Sequence, residues 1–283
     1  MKNLLIKSSL PRDIIEGLSY VKRRILFSST ISTRILGIVD FNQFNFALGD
    51  LTIFHENLFV FRKENNEIPI DICFIDDLSK KTQPDLKKDW AYQVLKLNPY
   101  IENVFKFNSR AEYNKFRINK LHEYVFFPNR RDQFHCDHRP LFKYYYKKGS
   151  LPKMSADKTS LDWTRNIIKN QVGAKKLIVV QIRNSMYLKN PEEFPNAITG
   201  KKGAALRNSN LPEWQKFFEK LDRNKFQVIC ICTNDEIIPS WRENDLVLFS
   251  KDFGADIMKD FALIECSYLS LFPPSGMFEF AFY

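Results

Sequence analysis

Arg183 stands at the end of an apolar run, residues 177–182, and a second basic group returns in Arg207-Asn208-Ser209-Asn210 before the next helix. The planar fork of an arginine holds a phosphate through two hydrogen bonds at once. The same side chain also pairs with a carboxylate at a domain edge, and residue types alone leave both readings open. Tyr187 lies in the polar loop between the two basic groups. Near the carboxyl end, Ser275-Gly276 offers a hydroxyl and backbone N–H groups at a helix start, an anion-binding device. In the first half, Gly49-Asp50 closes a loop. Gly49 lets a ligand approach the backbone closely, and Asp50 is either a helix cap or a carboxylate able to take a proton. Asp260 flanks an apolar helical face and reads as a surface charge or as a group looking into a cleft. His135-Cys136-Asp137-His138 suggests zinc. Four adjacent residues rarely converge on one tetrahedral ion, however, and no second ligand pair stands out, so no metal is expected.

These groups need elements to hold them. Residues 34–39 read as a strand and 40–50 as a loop. Residues 51–66 form a helix with Leu51, Phe54, Leu58 and Phe61 on one face, and 68–75 form a second strand. Further alternation follows: helices over 85–97 and 109–121, strands over 104–107 and 124–127. Residues 147–160, rich in Gly, Pro, Ser and charge, read as a linker. Beyond it come a helix over 163–169, the strand at 177–182, a helix opened by Ser209 or Asn210 with Pro212 in its first turn, strands at 226–232 and 246–249, and a helix over 256–269. The expected architecture is α/β with two domains, 1–150 and 151–283. The chain stops seven residues after Gly276, so the second domain is expected to end abruptly, as if truncated. Ligands of open α/β sheets bind beyond the carboxyl ends of strands, which is where Arg183 falls.

The chain has 283 residues, 44% of them hydrophobic, and a formal charge of +10, which favours an anionic partner without naming it. A phosphorylated ligand, anionic lipid and nucleic acid all fit. Between residues 115 and 153 stand ten Lys or Arg against Glu123, Asp132 and Asp137, with Phe126, Phe127, Phe134 and Tyr144-Tyr145-Tyr146 interleaved. Such a stretch suits a membrane surface, a lipid-linked acceptor or single-stranded nucleic acid, and equally a solvated face over buried rings. Five cysteines without framework spacing read as thiols of a reducing compartment. With no apolar window of about 18 residues and no signal peptide, the expected location is cytoplasmic, with peripheral contact at the inner face of the membrane.

Residues 177–283 together resemble bacterial glycosyltransferases of the GT-B type, related in fold to fucosyltransferases and O-fucosyltransferases. The resemblance rests on Gln181-Ile182-Arg183 where that family has a strand ending in His-x-Arg, on Tyr187, on Arg207 to Asn210, on Asp260 and Ser267 of a late helix, and on Ser275-Gly276. Gly49-Asp50 is similar to the Gly-Asp turn of heptosyltransferase-like enzymes. The resemblance implies two Rossmann-like domains: an acceptor domain and a nucleotide-sugar domain. It implies metal-independent, inverting transfer of a sugar from a nucleotide diphosphate donor to a glycan or lipid-linked acceptor of the cell-envelope polysaccharide kind. Arg183, Tyr187, Arg207, Asn208, Asp260, Ser275 and Gly276 would hold the donor, Asp50 would be the base, and no cofactor is implied beyond the nucleotide-sugar substrate. Nucleic acid is not expected as a partner under this reading. The rival reading is a non-catalytic protein whose basic, aromatic stretch binds nucleic acid or anionic membrane.

Overall fold

A computed structural model describes residues 32–43, 46–77, 85–120, 122–128, 137–151, 153–183, 208–243, 245, 247–273 and 275–282. In the first half β1 (Arg34–Asp40), β2 (Ile70–Ile75), β3 (Ile101–Phe107) and β4 (Tyr124–Phe127) form one parallel sheet in the order β3-β2-β1-β4. In the second half β5 (Lys176–Gln181), β6 (Phe226–Ile231), β7 (Leu248–Phe249) and β8 (Leu269–Leu271) form another, in the order β7-β6-β5-β8. The two sheets are separate and share one architecture. The chain steps outward over three strands and then crosses back to the far side of the first. Each sheet therefore has its switch point beside its first strand, between β1 and β4 and between β5 and β8, and crevices open at the carboxyl ends there.

The β-branched and aromatic runs fix these strands. β2 is buried at all six positions and β5 at four of six, as parallel strands covered on both faces should be. The 256–269 expectation needs correction. The helix ends at Cys266, and Leu269–Leu271 leaves it to become edge strand β8 on β5. Three residues are too few to show a period.

The helices are α1 (Leu48–Glu64), α2 (Asp85–Val94), α3 (Arg110–Asn119), α4 (Arg139–Lys148), α5 (Lys158–Ile167), α6 (Leu211–Lys220), α7 (Pro239–Glu243), α8 (Ile257–Cys266) and α9 (Gly276–Phe282). α1 departs most from its sequence pattern. Instead of one buried face, every residue from Leu51 to Val60 is buried. The sheet covers one side, and α4 and α9 cover others, so α1 lies between layers. Its polar residues are therefore buried as well. His55 is pushed by burial down to about 3 and stays neutral. Burial pushes Glu56 up to about 8, with only the Met154 backbone opposing it. α4 occupies part of the stretch read as a linker, and α5 starts earlier than expected, capped by the Asp157 carboxylate on the Ser160 N–H (3.0 Å). Between them, the described residues, 149–151 and 153–157, are neither helix nor strand.

Candidate active site at the junction of the two halves

The second sheet's switch point gathers several of the expected residues. β5 ends on Gln181, whose side-chain oxygen accepts a hydrogen bond from the Ser275 hydroxyl. Two residues on, the Arg183 N–H donates to the Ser209 hydroxyl (3.0 Å), and the Ser209 N–H donates back to the Arg183 carbonyl (2.8 Å). That reciprocal pair joins the start of the long loop to its end. Ser209 or Asn210 was expected to cap α6. Asn210 takes the N-cap position, without a side-chain hydrogen bond, and the Ser209 hydroxyl faces Arg183 instead. Asn208 sits half-buried next to this pair. Tyr187 and Arg207, together with His135 and Cys136, lie outside the described residues.

Across the junction stands the first turn of α1. α1 begins at Leu48, so Gly49 and Asp50 are inside the helix, and Asp50 is its third residue. The Asp50 carboxylate accepts the Ala47 N–H (2.8 Å), closing that helix end from within. One carboxylate oxygen is so used, and the group remains half-exposed. Gly49 was read as a place for close ligand approach. The backbone that comes close is Gly276, at the start of α9. A Cβ on Gly276 would lie 2.6 Å from the Gly49 nitrogen and 2.8 Å from the Leu48 Cβ, and one on Gly49 would lie 3.2 Å from the Gly276 Cα. The first turns of α1 and α9 thus cross with backbone against backbone, which brings Asp50 beside the Ser275-Gly276 turn.

The sequence reading missed Glu279, one turn after Gly276, whose Cγ lies 3.2 Å from the Cβ position of Gly49. Burial pushes its carboxyl up. Asp50 pushes the same way, while His138 at the start of α4 opposes both. The signal available was its spacing of three from Gly276, which says nothing until α9 is placed on α1. Asp260 is neither a surface charge nor open to a cleft. It is buried, its oxygens accepting from the Ser250 hydroxyl and the Lys251 ammonium, both at 2.7 Å. Burial raises its pKa against the pull of Lys251. Among the described residues no group of three or more His, Cys, Asp or Glu is placed to hold a metal ion. A groove of about 770 Å³ lies elsewhere, along the free edge of β8 among Trp214, Phe272, Phe278 and Phe280. It shares none of Asp50, Arg183, Ser209 or Gly276, and its lining is mostly apolar, so the polar junction is the better candidate for chemistry.

The glycine crossing makes a prediction about packing. Gly276→Ala places a methyl against the Gly49 nitrogen, which cannot yield without separating the helices, so a loss of about 1–3 kcal/mol is expected, the range for overpacking. Gly49→Ala should cost less, because its contacts at 3.2 Å include the flexible Glu279 side chain. Urea denaturation of both variants checks the order, and equal stability of Gly276→Ala and the parent would remove the crossing as a constraint.

No family model matches the chain, and no curated protein matches it. Two solved structures do. A family 9 glycosyl transferase from Veillonella parvula DSM 2008 superposes with a TM-score of 0.53 at 10% identity, covering 89% of this chain and 79% of that one. The E. coli ADP-heptose lps heptosyltransferase II superposes with a TM-score of 0.54 at 11% identity, covering 88% of this chain and 81% of that one. At such identities the likeness is one of fold, and the α/β arrangement of two parallel four-stranded sheets is that of the GT-B glycosyltransferases.

Proposed function

We propose that the chain transfers a sugar from a nucleotide diphosphate donor to an acceptor hydroxyl at the junction of its two sheets. The supporting observation is the meeting of one sheet's switch point, with Arg183, Ser209 and Ser275, and the Gly49-Asp50 turn carried by the other. The two neighbours of like fold are a glycosyl transferase and a heptosyltransferase, which favours sugar transfer over other uses of such a crevice.

In this reading Arg183, with Tyr187, Arg207 and Asn208 of the same loop, holds the donor diphosphate, and the Gly276 N–H completes the cradle together with the Ser275 hydroxyl, which exchanges its Gln181 acceptor for the diphosphate when the donor binds. Cleavage of the sugar–phosphate bond puts negative charge on the leaving diphosphate. Fixed donors aimed at that charge stabilise it most where water is excluded. Asp50 takes the acceptor proton as the new bond forms, in a single displacement that inverts the sugar carbon. No step is assigned to a metal. Asp260, with its oxygens engaged by Ser250 and Lys251, is assigned the role of bracing the segment between β7 and α8 in place of a contact with the nucleotide. The acceptor is a glycan or a lipid-linked glycan reached from the side of the first sheet.

A thermal-shift screen of nucleoside diphosphates and nucleotide-sugars tests the proposal. A ligand at a hundred times its Kd stabilises the folded state by about 2.7 kcal/mol. A shift with one nucleotide-sugar, accompanied by slow release of its nucleotide, is the expected result. A flat response across the screen contradicts it.

A further inference from the structure

α4 carries its large apolar side chains outward. Phe142 is 46% exposed, Tyr145 49% and Tyr146 85%. Spaced at i, i+3 and i+4, they form one ridge, while Leu141 and Tyr144 pack against Ile53 and Val60 of α1. The helix contains no acid. Its Arg139 is neutralised by Asp137 (2.6 Å), but Lys143, Lys147 and Lys148 make no ion pair with any described residue. Lys147 and Lys148 also line a shallow groove of about 350 Å³ with Lys63, Glu64 and Tyr144, three cations against one carboxylate. Other rings of the basic stretch are spent in the core: Phe126 and Phe127 are buried. The surface suggested by residues 115–153 thus narrows, among the described residues, to α4.

Exposed rings bordered by unneutralised lysines leave apolar area in water and like charges side by side. Both costs fall against a partner that is negative at its surface and apolar just below it, which is the layering of a lipid bilayer. A helical ridge suits a plane, whereas single-stranded nucleic acid is held in grooves with stacking platforms. We propose that the outer face of α4 docks on an anionic bilayer, with Phe142, Tyr145 and Tyr146 at the headgroup–acyl boundary and Lys143, Lys147 and Lys148 against lipid phosphates. This docking does not depend on the sugar-transfer reading. It has a geometric consequence for that reading, because His138 at the start of α4 lies within electrostatic reach of Glu279. A helix of α4's length spans about 15 Å, so the bilayer lies alongside the junction.

The test uses the full chain with vesicles of phosphatidylcholine alone and of phosphatidylcholine with phosphatidylglycerol. Binding is expected to the anionic vesicles only and to weaken with salt. Charge reversal by Lys143→Glu, Lys147→Glu and Lys148→Glu together should reduce partitioning by about a hundredfold or more. A Tyr145→Trp reporter, made in the otherwise unchanged chain, should shift its fluorescence to the blue on anionic vesicles and nowhere else. The docking is overturned if the parent ignores anionic vesicles, if the reporter stays at its aqueous wavelength on them, or if the folded charge-reversal variant binds undiminished. It is also overturned if α4 proves to serve another partner: saturable binding of a single-stranded polynucleotide, or a concentration-dependent dimer abolished by Tyr145→Ser with Tyr146→Ser, in a chain that leaves vesicles unbound.

Discussion

Asp50→Asn is expected to lower the rate of sugar transfer by about 10²–10⁴-fold, the usual contribution of a positioned general base, while donor binding stays as it was. The substitution separates the two uses of this side chain. An asparagine oxygen still accepts the Ala47 N–H that Asp50 now holds at 2.8 Å, so the first turn of α1 remains closed. What it cannot do is take a proton from an acceptor hydroxyl. Asp50→Ala loses both functions and should add a stability cost of about 0.5–2 kcal/mol, as cap removals do. Initial rates and thermal melts of both variants resolve the matter. Full activity in Asp50→Asn with a destabilised Asp50→Ala would leave Asp50 a cap alone, and Glu279, the neighbouring carboxyl whose pKa burial and Asp50 raise, would become the group to test.

The second large effect lies at the opposite end of the first sheet. Asp71, in the second position of β2, is fully buried and receives the Arg34 fork at 2.7 and 2.6 Å, the Tyr124 hydroxyl at 2.7 Å and the Asn103 amide at 2.9 Å. Removing one partner of a buried pair costs about 3–5 kcal/mol. Asp71→Ala should fall near the lower end, because the Arg34 side chain is 23% exposed and regains some hydration. Burial pushes the Asp71 carboxyl up, but the hydrogen bonds from Arg34, Tyr124 and Asn103 outweigh it and hold the group below its usual value of 3.8. The native state therefore binds fewer protons here than the unfolded chain does. The stabilisation is present above the unfolded value and drains away as pH falls through the lower folded one. Glu56 acts in the other direction. Its pKa of about 8 makes the native state hold a proton that the unfolded chain releases, so stability declines as pH rises from the ordinary glutamate range towards 8. Denaturation midpoints at neutral pH and below pH 4 should show the Asp71→Ala deficit shrinking in acid. Nucleotide affinity should not change, since Asp71 stands at the amino ends of the strands, away from the junction. A constant deficit at every pH would mean that packing, and not the ion pair, carries the effect.

The strands were legible because parallel strands buried on both faces read as apolar runs, as in residues 72–75 and 177–180. The ends of those runs, together with Gly49-Asp50 and Ser275-Gly276, marked the junction from sequence. What was not legible depends on contacts between distant segments. α1 looked amphipathic because nothing in its own sequence says that α4 and α9 will cover its outer sides. The meeting of Gly49 with Gly276 joins residues from the two halves, and each glycine alone reads as a place where a ligand, not another helix, meets the backbone. Asp260 was misread for the same reason: its partners Ser250 and Lys251 sit on a turn whose direction the sequence does not give. Glu279 had no signal until α9 was placed on α1.

The most direct measurement of the central claim is a nucleotide titration of Arg183→Ala and Arg183→Lys, paired with a denaturation curve for each. Lysine keeps the charge but lacks the two-pronged donor geometry. A hydrogen bond to a charged group is worth about 1.5–3 kcal/mol, so losing one or two should weaken nucleotide diphosphate binding roughly tenfold to several hundredfold in both variants. Both hydrogen bonds to Ser209 use main-chain atoms of residue 183 and survive either substitution, so the loss should appear in binding more than in stability. If Arg183→Ala instead binds the nucleotide as tightly as the parent and unfolds far more readily, Arg183 is a structural ion-pair residue and the donor site is not at the end of β5.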